Sequence, residues 1–386
     1  MRFSLQRSSH LFIFNFNSLA LASFLLCATV SAQEVKITNS GGRSNDGVDK
    51  TGTIKILHIG DSHLQPNNLT GSARLILQKE FGNAGRGLIF PYSLAKTYGP
   101  NDYTFSSNVS WTSAWITKSS TQSIGLTGIS VKSTTPSGKV SWSTGKDVLD
   151  YPYQKGQILF EMQDCTDCSV EINGVRRTYS NQSKVLDTLS FLVEKDTSTL
   201  TFKGGYFTLL DLVEETNLPG VIYSSTGVAS ATFTSYNLNP NFQKGLAMIR
   251  PDFLLISLGT NESYRNWNAS FFNKEVNLCL DRITESSPTT EVILVLPNEN
   301  YKKINGKYVY NAAVDSVRNS LKNIAAQRQL TTYDQLEAMG GKGSLLEWLK
   351  QGLVNADHVH LLRKGYQKQG ELLAAFLLGY LQNKPD

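Results

Sequence analysis

The chain has 386 residues, enough for one large domain or two ordinary ones, and a hydrophobic share of 40% allows a sizeable core. Its formal charge of +5, or +3 without Arg2 and Arg7, is too weak a bias to indicate nucleic-acid binding. Beyond the N-terminus the densest apolar run, Leu372 to Leu378, is too short to span a bilayer, so no stable membrane insertion is expected.

Arg2 and Arg7 precede the apolar stretch Leu19 to Val30, and Val30-Ser31-Ala32 has the small-residue pattern of a cleavage site. Residues 1–32 therefore read as a secretory signal, and an exported protein, periplasmic or secreted, is expected. Cys27 fits a lipid-attachment site poorly, because Leu26 precedes it where a small residue is usual. Residues 33–52 are polar with Gly and Ser, which suits a flexible leader.

Strand-like runs follow at Ile54–Ile59, Val221–Ser224, Phe253–Leu258, Val292–Leu296 and around Leu330–Tyr333. Helical patterns lie between and after them: Phe272, Val276, Leu280 and Ile283; Val314, Val317, Leu321 and Ile324; Leu345 to Leu353; Gly365 to Leu381. Short apolar strands with helical crossovers imply a mainly parallel five-stranded sheet covered on both faces. The α/β part is expected to occupy 53–100 and 216–386.

Between them the helical periodicity fades. Thr104–Trp115, Ile129–Ser133, Lys139–Ser143, Ile158–Gln163, Ser169–Val175 and Thr199–Phe207 are rich in Ser, Thr, Val and aromatics, and Asn173-Gly174 is a hairpin turn signal. Residues 101–215 are expected to form an inserted β-sandwich. Trp111, Trp115 and Trp142 fall inside it, either as a sugar-stacking platform or as core. Cys165-Thr166-Asp167-Cys168 is a lone C-x-x-C, for which an exported chain favours a small local disulfide over a metal site. Cys279 lies at helical spacing among apolar residues and reads as a buried thiol. No residue cluster has metal-ligand spacing, and no cofactor is implied.

Gly60-Asp61-Ser62-His63 directly follows the first strand, which puts a serine hydroxyl at the edge of the sheet where active sites collect. Serine is a poor nucleophile unless a base takes its proton. His360 can do that if Asp357, three positions earlier, fixes its tautomer, whereas His358 is a worse candidate because adjacent side chains diverge. Two more strand ends offer oxyanion donors. One is the backbone of Gly227 and the other is the Asn261 amide in Gly259-Thr260-Asn261-Glu262.

In this combination the chain resembles the SGNH/GDSL hydrolase superfamily, whose four blocks are matched in order by Gly60-Asp61-Ser62, Gly227, Gly259-Thr260-Asn261 and Asp357 to His360. The resemblance implies a three-layer α/β/α fold of flavodoxin-like type. It also implies Ser62 as nucleophile, His360 as base, Asp357 as orienter, and an oxyanion hole of Ser62 N–H, Gly227 N–H and Asn261. His63 departs from the leucine usual after the serine. Gly-Asp-Ser-His with Gly-Thr-Asn-Glu is similar to a branch of peptidoglycan O-acetylesterases that carries an inserted carbohydrate-module-like β domain. Gly340 to Ser344 with Trp348 is similar to that branch's C-terminal block.

The leading expectation is an exported serine esterase that removes O-acetyl groups from cell-wall glycan, with acetylated polysaccharide as its partner. The alternatives are another SGNH ester hydrolase or acetyltransferase (lipase, thioesterase or other polysaccharide esterase) and a non-catalytic wall-binding protein. The polar, β-rich insertion does not resemble an apolar lipase lid.

Overall fold

The computed structural model describes residues 52–144, 155–193 and 197–383. The expected signal and nearly all of the leader lie outside these residues. Five strands, β1 (Thr53–Gly60), β2 (Gly220–Gly227), β3 (Phe253–Ser257), β4 (Glu291–Leu296) and β5 (Thr331–Asp334), form one parallel sheet in the order β2-β1-β3-β4-β5. That is the flavodoxin-like order, in which the chain reverses its direction of winding between β1 and β3 and opens a crevice at their carboxyl ends.

The sheet is apolar on both faces, as a parallel sheet with helices on either side must be. On one face Ile54, Ile56, Val221, Tyr223, Phe253, Leu255, Ile293 and Val295 pack against α1 (Asn68–Phe81) and the later helices of the chain. Alternate residues on the other face, including Leu57, Ile59, Leu254, Ile256, Leu294 and Leu296, meet α2 (Phe233–Asn237), α3 (Phe242–Ile249), α5 (Ala269–Ser286) and α6 (Ala313–Arg328). A short helix, α4 (Thr260–Tyr264), follows β3. After β5 come α7 (Gln335–Met339), α8 (Ser344–Lys350) and α9 (Arg363–Gln382), and α9 lies along α1. Cys279 is buried in α5. Among the described residues no helix is long and apolar enough to cross a membrane.

The insertion is antiparallel, and the expected sandwich takes the form of a single nine-stranded sheet curled over its own core. Two of its edge strands, Tyr103–Ser107 and Trp111–Trp115, are separated in sequence by three residues, which draws those edges together. Trp111 on one edge then meets Phe202, in the strand Thr197–Lys203, edge to face across the interior. Two long strands, Lys155–Ile172 and Val175–Leu192, form a hairpin turned at Asn173 and Gly174, both at positive φ. The first of them pairs with Tyr206–Glu215 along its start and with Thr197–Lys203 near its end. Cys165 and Cys168 are joined by a disulfide.

Gly87–Ile89 also joins this sheet, pairing with Tyr206–Glu215, although the sequence places it in the hydrolase part. The two cores are continuous. The insertion packs on the edge strand β2 through Ile124 to Gly128. Thr226 donates to the Thr127 carbonyl at 2.8 Å, and the Asn239 and Asn241 amides donate to the Gly125 and Ile124 carbonyls.

The expectation of an aromatic platform at Trp111 and Trp142 is corrected here. Both are buried, at 6% and 2% exposure, and their indoles donate to Ser107 and Glu214 respectively. A ring enclosed on both faces cannot stack on a sugar, and its large area serves the insertion's core instead. Trp115 is half-buried, with Lys118 over its ring.

One ion cluster ties the two parts together. Asp102 accepts from buried Arg74 of α1 at 3.0 Å and from buried Arg86 at 2.6 Å, just before the insertion's first edge strand. Burial alone would raise the Asp102 carboxyl, but the two guanidinium groups outweigh it and hold it below the ordinary value. Asp102→Asn would remove the carboxylate that the two buried guanidinium groups share, and a loss of about 3–5 kcal/mol is expected by urea denaturation. Because the folded pKa is depressed, this contribution is present above the ordinary carboxylate range and is lost as pH falls through the folded value. In the parent protein the urea midpoint should drop on acidification through that window, and the variant should lack that component.

Candidate active site

The register of the sheet builds the site. Gly60 at the end of β1 lies opposite Gly227 of β2 on one side and Ser257 of β3 on the other, so three strands end level. The turn after β1 is tight, with Leu64 N–H bonded to the Asp61 carbonyl and His63 N–H bonded to Asp61 Oδ1. Ser62 is thereby lifted to the open edge.

The partners come from the far end of the chain. Val354 and Leu361 form an antiparallel bridge, and Asn355 N–H bonds to the His360 carbonyl at 2.8 Å, which closes a tight loop over 355–360. Inside it, Asp357 Oδ1 accepts the N–H groups of Val359 and His360, each at 2.9 Å. Its other oxygen lies 2.7 Å from His360 Nδ1, and His360 Nε2 lies 2.9 Å from Ser62 Oγ. Partial burial acts upward on Asp357, but these hydrogen bonds prevail and keep it below the ordinary carboxylate value. The order Asp–His–Ser, with a carboxylate on Nδ1 and a hydroxyl on Nε2, is the geometry of a base-activated nucleophile.

The structure thus brings Ser62, His360 and Asp357 together and leaves His358 aside. His358 sits at φ 57° with its ring stacked on Tyr308, centroids 3.8 Å apart. His58 is a core residue: its ring nitrogens meet the Tyr223 hydroxyl and Ser257 Oγ, and burial lowers its pKa to about 3.

Gly227 is pinned against the nucleophile turn. A Cβ there would come within 2.3 Å of the Asp61 carbonyl oxygen and 2.7 Å of the Gln65 nitrogen. Asn261 occupies the first turn of α4, which Gly259 opens at φ 120°. Its amide donates to Asp61 Oδ2 at 3.2 Å and to the Ala231 carbonyl at 3.0 Å. The Asn261 amide therefore reaches the nucleophile turn with Asp61 as its link.

Two buried carboxyls lie under this edge. Burial pushes Asp61 up to about 7 despite the His63 N–H and the nearby His360, and pushes Glu262 up to about 7 despite a hydrogen bond from Phe233 N–H. The second oxygen of Glu262 is buried without a partner among the described residues.

Sequence reasoning missed the hairpin Tyr301–Ile304 with Lys307–Tyr310, which carries Tyr308. Tyr301 N–H bonds to the His358 carbonyl, so the hairpin buttresses the 355–360 loop. Its signal was available: Asn305-Gly306, both at positive φ, between two aromatic, alternating runs.

Residues 203–368 match the GDSL-like Lipase/Acylhydrolase family. The matched stretch holds Gly227, Asn261, Asp357 and His360, while Ser62 precedes it, cut off by the insertion. Over these residues the chain is similar to the GDSL/SGNH hydrolases, a family of ester hydrolases. Among solved structures it is similar to a peptidoglycan O-acetylesterase, with TM-score 0.76 and 22% identity over 86% of this chain and 92% of that one. The lipase/acylhydrolase from Enterococcus faecalis is 20% identical at TM-score 0.33, over 43% of this chain and 80% of that one. A carbohydrate esterase family 3 protein from Talaromyces cellulolyticus is 17% identical at TM-score 0.33, over 42% and 73%. No curated protein matches the chain in sequence.

The raised carboxyls make a pH signature. Groups whose folded pKa lies above the unfolded value favour folding at low pH and lose that contribution as pH rises through about 7. Glu262→Gln keeps an oxygen for Phe233 N–H and cannot ionise. Urea midpoints taken from pH 5 to pH 8 should fall less steeply in this variant than in the parent, and equal slopes would contradict a buried, late-titrating Glu262.

Proposed function

We propose that the chain is an exported serine esterase that removes O-acetyl groups from cell-wall glycan, most specifically peptidoglycan. The observation that carries the esterase chemistry is the unbroken hydrogen-bond chain from Ser62 through His360 to Asp357 at the switch-point edge of the sheet. Support for the glycan class comes from likeness to the O-acetylesterase structure over both the α/β part and the insertion. The N-terminal charge, apolar stretch and small-residue pattern support export.

In this mechanism Ser62 Oγ attacks the acetyl carbonyl carbon while its proton passes to His360 Nε2. Asp357 holds the ring in the required tautomer and stabilises the imidazolium. The tetrahedral oxyanion takes hydrogen bonds from Ser62 N–H, Gly227 N–H and the Asn261 amide. At Asn261 the longer bond, to Asp61, is the one the oxyanion replaces. Collapse breaks the ester bond, and the sugar oxygen leaves with the proton from His360. Water, deprotonated by His360, then attacks acetyl-Ser62 and releases acetate. A sugar hydroxyl in place of that water would make the same intermediate a transferase intermediate. Beside the site, the insertion braces β2 and can hold an extended glycan across the crevice, where remote binding energy orients the reacting ester.

Ser62→Ala should abolish turnover of 4-nitrophenyl acetate and leave the folded state intact, since among the described residues the hydroxyl makes one half-buried hydrogen bond, to His360. Asn261→Ala should cost about 10²–10³ in kcat, the usual loss for one oxyanion donor. Gly227→Ala should lower activity as well, because its Cβ must displace the Asp61 carbonyl. Acetate release from O-acetylated peptidoglycan, compared with acetylated xylan and a long-chain ester, tests the substrate. Preference for the long-chain ester would overturn the glycan reading, and full activity in Ser62→Ala would overturn the mechanism.

A further inference from the structure

His63 is the residue where the chain departs from the leucine usual in its family, and nothing in the mechanism above uses it. Its ring lies against that of His360, centroids 5.0 Å apart and planes 28° from parallel. Its Nδ1 is 2.9 Å from the Tyr366 hydroxyl of α9. With Tyr366 donating to Nδ1, the neutral ring carries its proton on Nε2. That Nε2 is buried and has no partner among the described residues. The Tyr333 hydroxyl of β5, also buried, has none either.

Both residues line the same small cavity of about 20 Å³ under the nucleophile turn, with Asp61, His58 and Ser257 also on its wall. A volume of roughly 10–15 Å³ suffices for one water when polar partners are at hand. Two orphaned polar groups around a one-water cavity are the usual mark of a structural water, since leaving either unpaired costs the desolvation of a buried polar group.

We infer that this cavity is a water site, that its water bridges His63 Nε2–H and the Tyr333 hydroxyl, and that His63 so held is a positioning residue for His360. The catalytic pair needs such support, because the side chains of His360 and Asp357 are 39% and 43% exposed. Solvent on one side leaves the imidazole free to rock off Ser62 unless something backs its face. His63 is that backing. It must also stay neutral, since a second cation would repel the imidazolium formed in catalysis, and burial lowers its pKa to about 3.

The inference rests on the Ser62–His360 reading, and one experiment separates the two. Labelling of Ser62 by a serine-directed phosphonate and turnover of 4-nitrophenyl acetate are measured for the parent, His63→Leu, His63→Gln, Tyr333→Phe, Tyr366→Phe and the double phenylalanine variant. A parent unlabelled at Ser62 sinks the esterase reading itself. With a labelled parent, His63→Leu should lower kcat by up to about a hundredfold, the scale of a small misplacement of a reacting group, with KM unchanged. His63→Gln, which keeps an N–H directed at the cavity, should recover part of the loss. The two Tyr→Phe variants remove one oxygen each and fold without strain. Each should lower kcat, and the double variant should fall by less than the product of the two, because they act through one chain of hydrogen bonds. A His63→Leu kcat within twofold of the parent overturns the positioning role. His63→Gln no better than His63→Leu, with Tyr effects that simply multiply, overturns the bridging water.

Discussion

Everything at the active edge depends on three parallel strands ending level at Gly60. The register Gly60 with Gly227 and Gly60 with Ser257 fixes where the chain may turn, and neither glycine has room for a side chain. A Cβ on Gly60 would meet the Ser257 carbonyl at 2.7 Å, and one on Gly227 would meet the Asp61 carbonyl at 2.3 Å. Close backbone approach of this kind is what glycine permits and other residues do not. Ser62, Asn261 and the Gly227 backbone are therefore placed by the sheet and not by one another. The base and its orienting carboxylate are delivered from the far end of the chain by the 355–360 loop, which is closed by its own hydrogen bonds and buttressed by the Tyr301–Tyr310 hairpin.

Electrostatically the site is divided in two. Above the sheet edge, Asp357 and His360 are open to solvent and rely on hydrogen-bond geometry. Below it, Asp61 and Glu262 are buried, and their carboxyls resist ionisation because the interior penalises charge. A negative charge on Asp61, the neighbour of Ser62, would oppose an oxyanion formed there. Raising its pKa keeps that charge partly suppressed near neutrality. The same carboxyl anchors both His63 N–H and Asn261, so it organises the turn without acting on substrate.

Much of this was legible in the chain. Four of the five central strands carry apolar runs, because both faces are buried, and three of them were read with their loop chemistry at the carboxyl end. The Ser62, Asp357 and His360 positions stood out because they flank the first strand and the last helix. What failed to show has physical causes. Val175–Leu192 is long but largely polar, since it lies on the outside of the curled sheet with one face in water, so no apolar pattern marks it. The join of Gly87–Ile89 to the insertion, and the Asp102 cluster with Arg74 and Arg86, are tertiary pairings with no local periodicity. Trp111 and Trp142 look alike in sequence whether they face a sugar or a core. Only the curling of one sheet over itself, which encloses them, decides it.

The central claim is that Ser62 carries the acyl group. Acid-quenching the enzyme during turnover of an activated acetyl ester, followed by peptide mapping by mass spectrometry, tests it most directly. The account predicts one acetyl group on the peptide holding Ser62, absent in Ser62→Ala and persisting longer in Asp357→Asn. Acetylation confined to another residue, or turnover without any acetyl-enzyme in Asp357→Asn and parent alike, would contradict it.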